Sequence, residues 1–299
     1  MNILENSKFV FFFFIVLGFI FPIYADDLKI LLIPSVIIMM IISIKDVHIG
    51  HFNKSNYKKA LKLIFVNYFL LSPIYIALAL LFIKNPDYKA GFIILASVPP
   101  AASIIPLTYI YHGDIKDTIL GEIACYLFAL IYSPLIVYFF LGKTVNILFY
   151  VEILFLIILF PILISRLIHN LKWKIFKKKN IVVNLIYGFS FYIFIGLNQS
   201  VFLNSFSNLI PVACIIVLGT FILGYFIFHI LKQKKVKKRE DIMYVLFGTF
   251  KNGNTAAALS IMFFGPAGAI PIAVRGLLTP FYFVFMEWMF KEHKKIVNK

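Results

Sequence analysis

Residues 251–254, with the sequence Lys-Asn-Gly-Asn, interrupt an otherwise apolar segment that runs from Tyr244 to Pro271. About ten residues separate Lys251 from either end of this segment, or about 15 Å at the rise of an α-helix. A lysine side chain cannot cover that distance to reach the membrane surface. The Lys251 ammonium must therefore meet a polar cavity or a carboxylate, or the amine must be neutral. Intramembrane groups of this kind are typical of an ion or substrate site.

Glu122 is the expected partner of Lys251. It lies one to two turns into a second apolar segment, and helical side chains lean towards the N-terminus of their helix. We expect an ion pair between the two residues. Three other charged residues fall near segment ends, where their side chains can reach the membrane surface: Glu152, Arg275 and Glu287. The histidines and the two cysteines form no metal-ligand pattern, so no metal site is expected.

The composition identifies an all-α polytopic membrane protein. Of its 299 residues, 62% are hydrophobic and only 14% are charged, against about a quarter charged in soluble domains. Apolar runs long enough to cross a bilayer recur throughout the chain. We predict ten spans, at 9–24, 28–45, 60–83, 90–111, 117–141, 147–171, 181–198, 207–231, 241–263 and 268–290.

The basic residues predict the orientation. Of the 29 Lys and Arg residues, 23 fall in alternate loops and termini, and four fall in the others. This bias predicts a multi-pass protein of the cell (inner or plasma) membrane with both termini in the cytoplasm. The same distribution explains the net charge of +16 without a nucleic-acid partner. The first apolar run lacks a small-x-small cleavage site, so we expect a retained helix rather than a signal peptide.

The two halves of the chain resemble each other. Leu107–Gly113 and Leu259–Gly265 share leucine and glycine at a shift of 152 residues, and Pro134 matches Pro280 at a shift of 146. Five spans per half predict two inverted repeats, residues 1–145 and 146–299. Pro99 and Pro100 are expected to break helix 4. The 152-residue shift brings them to the Lys-Asn-Gly-Asn interruption in helix 9, where Gly253 is the expected break.

Two motifs resemble the bile acid:sodium symporter superfamily, and the chain is similar to a divergent prokaryotic member. The first motif is "PPAASIIPLTYIYHGD" (99–114), and the second is "GTFKNGNTAAALSIMFFGPAGAIP" (248–271). The resemblance implies ten spans in two inverted five-helix repeats, with helices 4 and 9 broken and crossing. It also implies one membrane domain, in which panel and core subdomains enclose the substrate crevice.

The departures from the family pattern fall on its sodium ligands. The positions that the resemblance assigns to a serine–asparagine pair are Ile104 and Ile105, and those for a glutamate and a glutamine are Phe247 and Lys251. Glu122 replaces a further ligand, commonly threonine. We therefore expect the fixed charges of Lys251 and Glu122 to replace sodium.

These residues predict a secondary active transporter of a small organic anion, proton-coupled or sodium-independent, and not an enzyme. Three alternatives stay open: a sodium-coupled symporter of bile-acid or organic-acid type, an auxin-efflux-type carrier, and a non-transporting membrane sensor. No cofactor is expected besides Na⁺ or H⁺ as coupling ion, and the expected partners are the anion and the bilayer, with a homodimer open. The candidate binding residues are Lys251, Asn252, Asn254, Thr255, Glu122, Thr118, Thr108, Ser103 and Asn67.

Overall fold

The computed structural model describes residues 3–45, 53–168, 178–234 and 238–297. Within these ranges the chain is helical and contains no strand. Twelve helices carry the argument below: α1 (Ser7–Ile20), α2 (Leu32–Lys45), α3 (Lys54–Phe82), α4 (Pro86–Ser97), α5 (Ile104–Ile110), α6 (Ile115–Leu141), α7 (Ile147–Leu167), α8 (Lys179–Leu197), α9 (Phe206–Gln233), α10 (Lys238–Phe247), α11 (Gly253–Gly268) and α12 (Ile270–Val297).

Six of the described helices are long and apolar enough to cross a bilayer. They are Pro22–Lys45 (which ends with α2), α3, α6, α7, α9 and the Ile270–Phe290 part of α12. The apolar parts of α1 and α8 are shorter. The predicted spans 90–111 and 241–263 each correspond to two helices separated by non-helical residues: α4 and α5, and α10 and α11. The end of the predicted span 147–171 and the basic loop after it lie outside the described residues.

The helices pack in two groups. Helix α1 packs on α8, α8 packs on α2 and α2 packs on α7, and the remaining helices form a second group that includes α4, α6 and α11. Helices α4 and α11 of the second group approach each other closely. A Cβ atom on Gly91 would lie 2.0 Å from the carbonyl oxygen of Gly268, so only glycine allows this crossing.

A π-helical turn over Phe65–Leu71 interrupts α3, and a second one over Leu218–Ile222 interrupts α9. Proline has no backbone N–H, so Pro73 leaves carbonyl groups of the preceding turn in α3 without a helical donor. The Tyr132 hydroxyl donates to one of them, the carbonyl of Tyr68, at 2.9 Å. Such turns redirect side chains and are frequent at functional sites, and the first one carries Asn67.

Candidate functional site

Two non-helical segments meet inside the second helix group. Residues 98–103 separate α4 from α5, and residues 248–252 separate α10 from α11. Pro99 and Pro100 cannot donate hydrogen bonds, which prevents a continuous helix through the first segment. The backbone N–H of Asn252 donates to the carbonyl of Pro99 at 2.8 Å, so one segment supplies a donor for an acceptor that the other leaves free.

Lys251 lies at this contact and has no exposed surface. Its Nζ donates to Asn67 Oδ1 at 2.8 Å and to the carbonyl of Val98 at 3.0 Å. The same atom lies 4.3 Å from the centre of the Tyr68 ring, a cation–π contact that is worth about 2 kcal/mol in a desolvated site. Two neutral oxygens and an aromatic face therefore surround the Lys251 amino group between the segments and α3.

The π-helical turn of α3 positions Asn67, and both the nitrogen and the oxygen of its side-chain amide form hydrogen bonds. Its Nδ2 donates to the carbonyls of Phe247 and Phe250, at 2.8 and 3.1 Å, while its Oδ1 accepts from Lys251. The carbonyls at the C-terminal end of α10 need such donors, because the helix stops inside the protein. Asn67 thus connects the end of α10 to the Lys251 ammonium.

Arg275 lies near the start of α12 but points into the protein, so the expectation that its side chain reaches the membrane surface is wrong. The residue is only 8% exposed. Its guanidinium donates to the carbonyls of Lys251 and Thr249, at 3.0 and 3.3 Å. Arg275 was therefore missed as a site residue. The only sequence signal for it was an arginine in the otherwise apolar stretch 270–283.

Glu122 is buried, with 3% of its surface exposed, and neither carboxyl oxygen has a hydrogen-bond partner. The predicted ion pair with Lys251 is therefore wrong in this conformation. Its physical reason is that the Lys251 ammonium is bound by Asn67 and Val98 on the side of α3 and α4. The Glu122 carboxyl instead interacts electrostatically with Tyr126, one turn along α6, and with Tyr187 of α8.

The other candidate residues lie around this centre. Asn252 caps α11 by accepting from the backbone N–H of Thr255, and its Nδ2 contacts the Tyr126 hydroxyl at 3.4 Å. Asn254 contacts Met39 Sδ of α2 at 3.5 Å, and the Thr255 hydroxyl has no hydrogen-bond partner. Gly253 is the first residue of α11 and does not belong to the non-helical segment.

Ser103 lies beside Tyr187 at the boundary between the two helix groups. Thr108 and Thr118 contact each other at 3.3 Å, and Thr118 also donates to the carbonyl of Asp114. The structure thus groups Lys251, Asn252 and Asn67, and it brings the two threonines together near the N-terminus of α6.

The side chains at the positions that the resemblance assigns to sodium ligands do not fit a sodium ion. Hard cations take several oxygen ligands, whereas Ile104 and Phe247 are fully buried apolar side chains. At the glutamine position the Lys251 ammonium already occupies the Asn67 oxygen and the Val98 carbonyl. A second cation at the same oxygens would be repelled.

Apolar helices of spanning length, with charged side chains in their interior, indicate an integral membrane protein. A sequence model of the SBF-like CPA transporter family, which is bile acid:sodium symporter-like, matches residues 8–274, and the chain belongs to this family. Comparison with curated proteins finds no match. Family membership thus confirms the predicted resemblance and indicates a membrane transporter.

Proposed function

We propose that the protein is a secondary transporter that moves a small organic anion by alternating access, without bound sodium. The contact of the Lys251 ammonium with Asn67 Oδ1 and the Val98 carbonyl carries this proposal. A fixed ammonium supplies a positive charge at the crossing of the two non-helical segments, where relatives are expected to bind an ion. Because that charge is part of the chain, no sodium ion binds at this position, and a sodium gradient cannot drive transport through it.

The preference for an anion follows from the charges around the segments. The site contains the cationic side chains of Lys251 and Arg275, together with the N-terminal end of α11, which carries partial positive charge. The only carboxyl group that the described contacts bring near them is that of Glu122. The substrate crevice lies between the two helix groups, bordered by Tyr187 of α8 and by Ser103.

The proposed architecture has ten spans in two inverted repeats, with helices 4 and 9 broken and crossing. The predicted 152-residue shift carries residues 65–71 onto 217–223, which brackets the second π-helical turn at Leu218–Ile222. It also carries 98–103 onto 250–255, which overlaps the non-helical segment 248–252. Irregular features at matching positions of the two halves support the repeat, and the lysine bias supports cytoplasmic termini.

Substrate counterflow in proteoliposomes tests the proposed function. Purified protein is reconstituted with unlabelled anion inside, and the entry of trace radiolabelled anion is followed for pyruvate, lactate, succinate and taurocholate in turn. We expect counterflow of at least one of these anions, at the same rate in sodium chloride and in N-methylglucamine chloride. Counterflow that requires sodium would refute sodium independence, and the absence of counterflow for every anion would refute the anion substrate class.

A further inference from the structure

The Glu122 carboxyl makes no hydrogen bond among the contacts described so far. Both of its oxygens are buried without a hydrogen-bond partner, although an unpaired buried carboxylate costs several kcal/mol. Glu122 lies within α6, where no loop or helix end supplies backbone N–H groups to it. A buried polar group without a partner calls for an explanation, and an ionisable residue within a membrane is by default a candidate functional site.

The charged groups around Glu122 are engaged elsewhere. Lys251 is bound to Asn67 and the Val98 carbonyl, and Arg275 of α12 binds two backbone carbonyls. At the N-terminal ends of α3, α6 and α10, Lys59 is paired with Asp117 and Glu240. The titratable groups closest to the Glu122 carboxyl are uncharged: Cys125 and Tyr126 of α6, and Tyr187 of α8. The tyrosines and charged residues of α4, α5 and α7 have no described interaction with it.

A proton fits this environment better than a metal ion does. A metal cation would need several oxygen ligands, but Ile104 and Phe247 place apolar side chains at the neighbouring ligand positions. The Thr118 hydroxyl, one turn before Glu122, already donates to the carbonyl of Asp114. A proton needs one oxygen and no coordination shell, and it removes the charge that the site leaves uncompensated.

We infer that Glu122 is the proton-binding site of the transporter and that this proton is the coupling ion. The carboxylate takes up one proton from water when the crevice is open, and the acid carries it through the conformation described here, in which Glu122 is buried. It returns the proton to water on the other side. One proton accompanies one monoanion, so the cycle is electroneutral. This inference rests on the proposed transport function.

The position of Glu122 connects the proton to the crossing segments. Tyr126 lies on the same face of α6, one turn further on, and its hydroxyl accepts from Asn252 Nδ2 at 3.4 Å. Asn252 caps α11 and binds the Pro99 carbonyl. Charging Glu122 therefore acts on the residue that joins the two segments, which links protonation to the arrangement of the site.

Infrared titration of the purified protein tests the proton site without any substrate. Solvent-exposed carboxyl groups are ionised at about pH 7, so a protonated-carboxyl stretching band that persists there reports a buried acid. We expect wild type to show this band, Glu122→Gln to lack it, and Glu152→Gln to keep it. Glu152 is an exposed glutamate of α7 and serves as the matched control. A band that is absent from wild type, or unchanged in Glu122→Gln, overturns the inference.

Two further measurements separate the coupling ion from the transport function. Replacing N-methylglucamine by sodium should leave the titration unchanged; a shift would show that a metal ion competes for the carboxylate and would overturn the proton site. In proteoliposomes, an inward proton gradient of one unit should drive about tenfold accumulation of radiolabelled pyruvate or lactate by wild type.

The Glu122→Gln protein should lose this accumulation, whereas the control Glu152→Gln should keep it, and gradient-driven accumulation by Glu122→Gln would overturn the coupling role. Glu122→Asp keeps a carboxyl group and should retain part of the accumulation. If wild type gives no counterflow while its titration is as expected, the proposed transport function fails and the proton-binding role of Glu122 stands. If counterflow is observed but the protonated-carboxyl band of Glu122 is absent, the inference about the proton site is refuted and the proposed transport function stands.

Discussion

Replacing Lys251 by alanine should destabilise the protein and abolish transport while the protein still folds. The substitution leaves Asn67 Oδ1 and the Val98 carbonyl without their donor, at about 1–3 kcal/mol for each buried acceptor. The cavity left by the deleted side chain adds about 2–5 kcal/mol. The substitution also removes the desolvation cost of the ammonium, several kcal/mol, which offsets part of this loss of stability. The net loss of stability is about 2–4 kcal/mol.

Thermal denaturation in detergent measures this loss. At roughly 2–4 °C per kcal/mol for chains of 150–250 residues, we expect the apparent Tm of Lys251→Ala to fall by about 4–16 °C. Lys84→Ala removes an exposed lysine that precedes α4, and it should leave the Tm unchanged. Propylammonium contains the three carbons and the ammonium that the substitution deletes. Millimolar propylammonium should therefore recover part of the lost Tm, whereas 1-propanol, which has a similar volume and no charge, should not.

A Lys251→Ala protein with the Tm of wild type and normal counterflow would refute the role of this ammonium. Recovery by 1-propanol as well as by propylammonium would show that filling the cavity, and not the charge, stabilises the site. Either result would remove the physical basis for a fixed cation at the crossing of the two segments.

Two more substitutions test neighbouring contacts. Arg275→Leu leaves the carbonyls of Lys251 and Thr249 without donors and should lower the Tm by about 4–8 °C. Arg275→Lys should recover part of this loss. An unchanged Tm in Arg275→Leu would contradict the contact. Gly91→Ala puts a Cβ atom 2.0 Å from the Gly268 carbonyl oxygen and should lower the Tm or the yield of folded protein. In contrast, Gly253→Ala meets no atom closer than 3.5 Å and should be tolerated. Equal stability of the two alanine variants would show that α4 and α11 do not cross closely at Gly91.

The sequence predicts the position of the site better than it predicts the contacts within it. Pro99, Pro100 and the polar residues after Phe250 indicate interruptions in apolar segments, because these residues cannot continue an apolar helix without unpaired backbone groups. The burial of Lys251 follows from its distance to the segment ends. These inferences use only local sequence and the thickness of the bilayer.

The partner of Lys251 could not be predicted, because it depends on how helices pack. An ion pair with Glu122 was the simplest way to compensate two buried charges. The structure instead bonds Lys251 to Asn67, which reaches it from a π-helical turn that has no hydropathy signal. The lean of helical side chains did not reveal that α3 and the end of α4 supply the oxygens that bind Lys251.

The contacts of Arg275 could not be predicted from hydropathy either. Its distance from the predicted end of the last span suggested a side chain that reaches the membrane surface. The unsatisfied carbonyls that it binds exist only because α10 stops inside the protein. A helix boundary predicted from hydropathy does not show which side chain donates hydrogen bonds to the free carbonyls at the end of that helix.

The apparent Tm of wild type in sodium chloride, compared with N-methylglucamine chloride at equal ionic strength and pH, tests the central claim most directly. A bound ligand stabilises the folded state by mass action, by about 2.7 kcal/mol at one hundred times its Kd. Because the Lys251 ammonium occupies the Asn67 oxygen and the Val98 carbonyl, we predict the same Tm in both salts. A Tm several degrees higher in sodium chloride would contradict the claim that a fixed ammonium replaces the sodium ion.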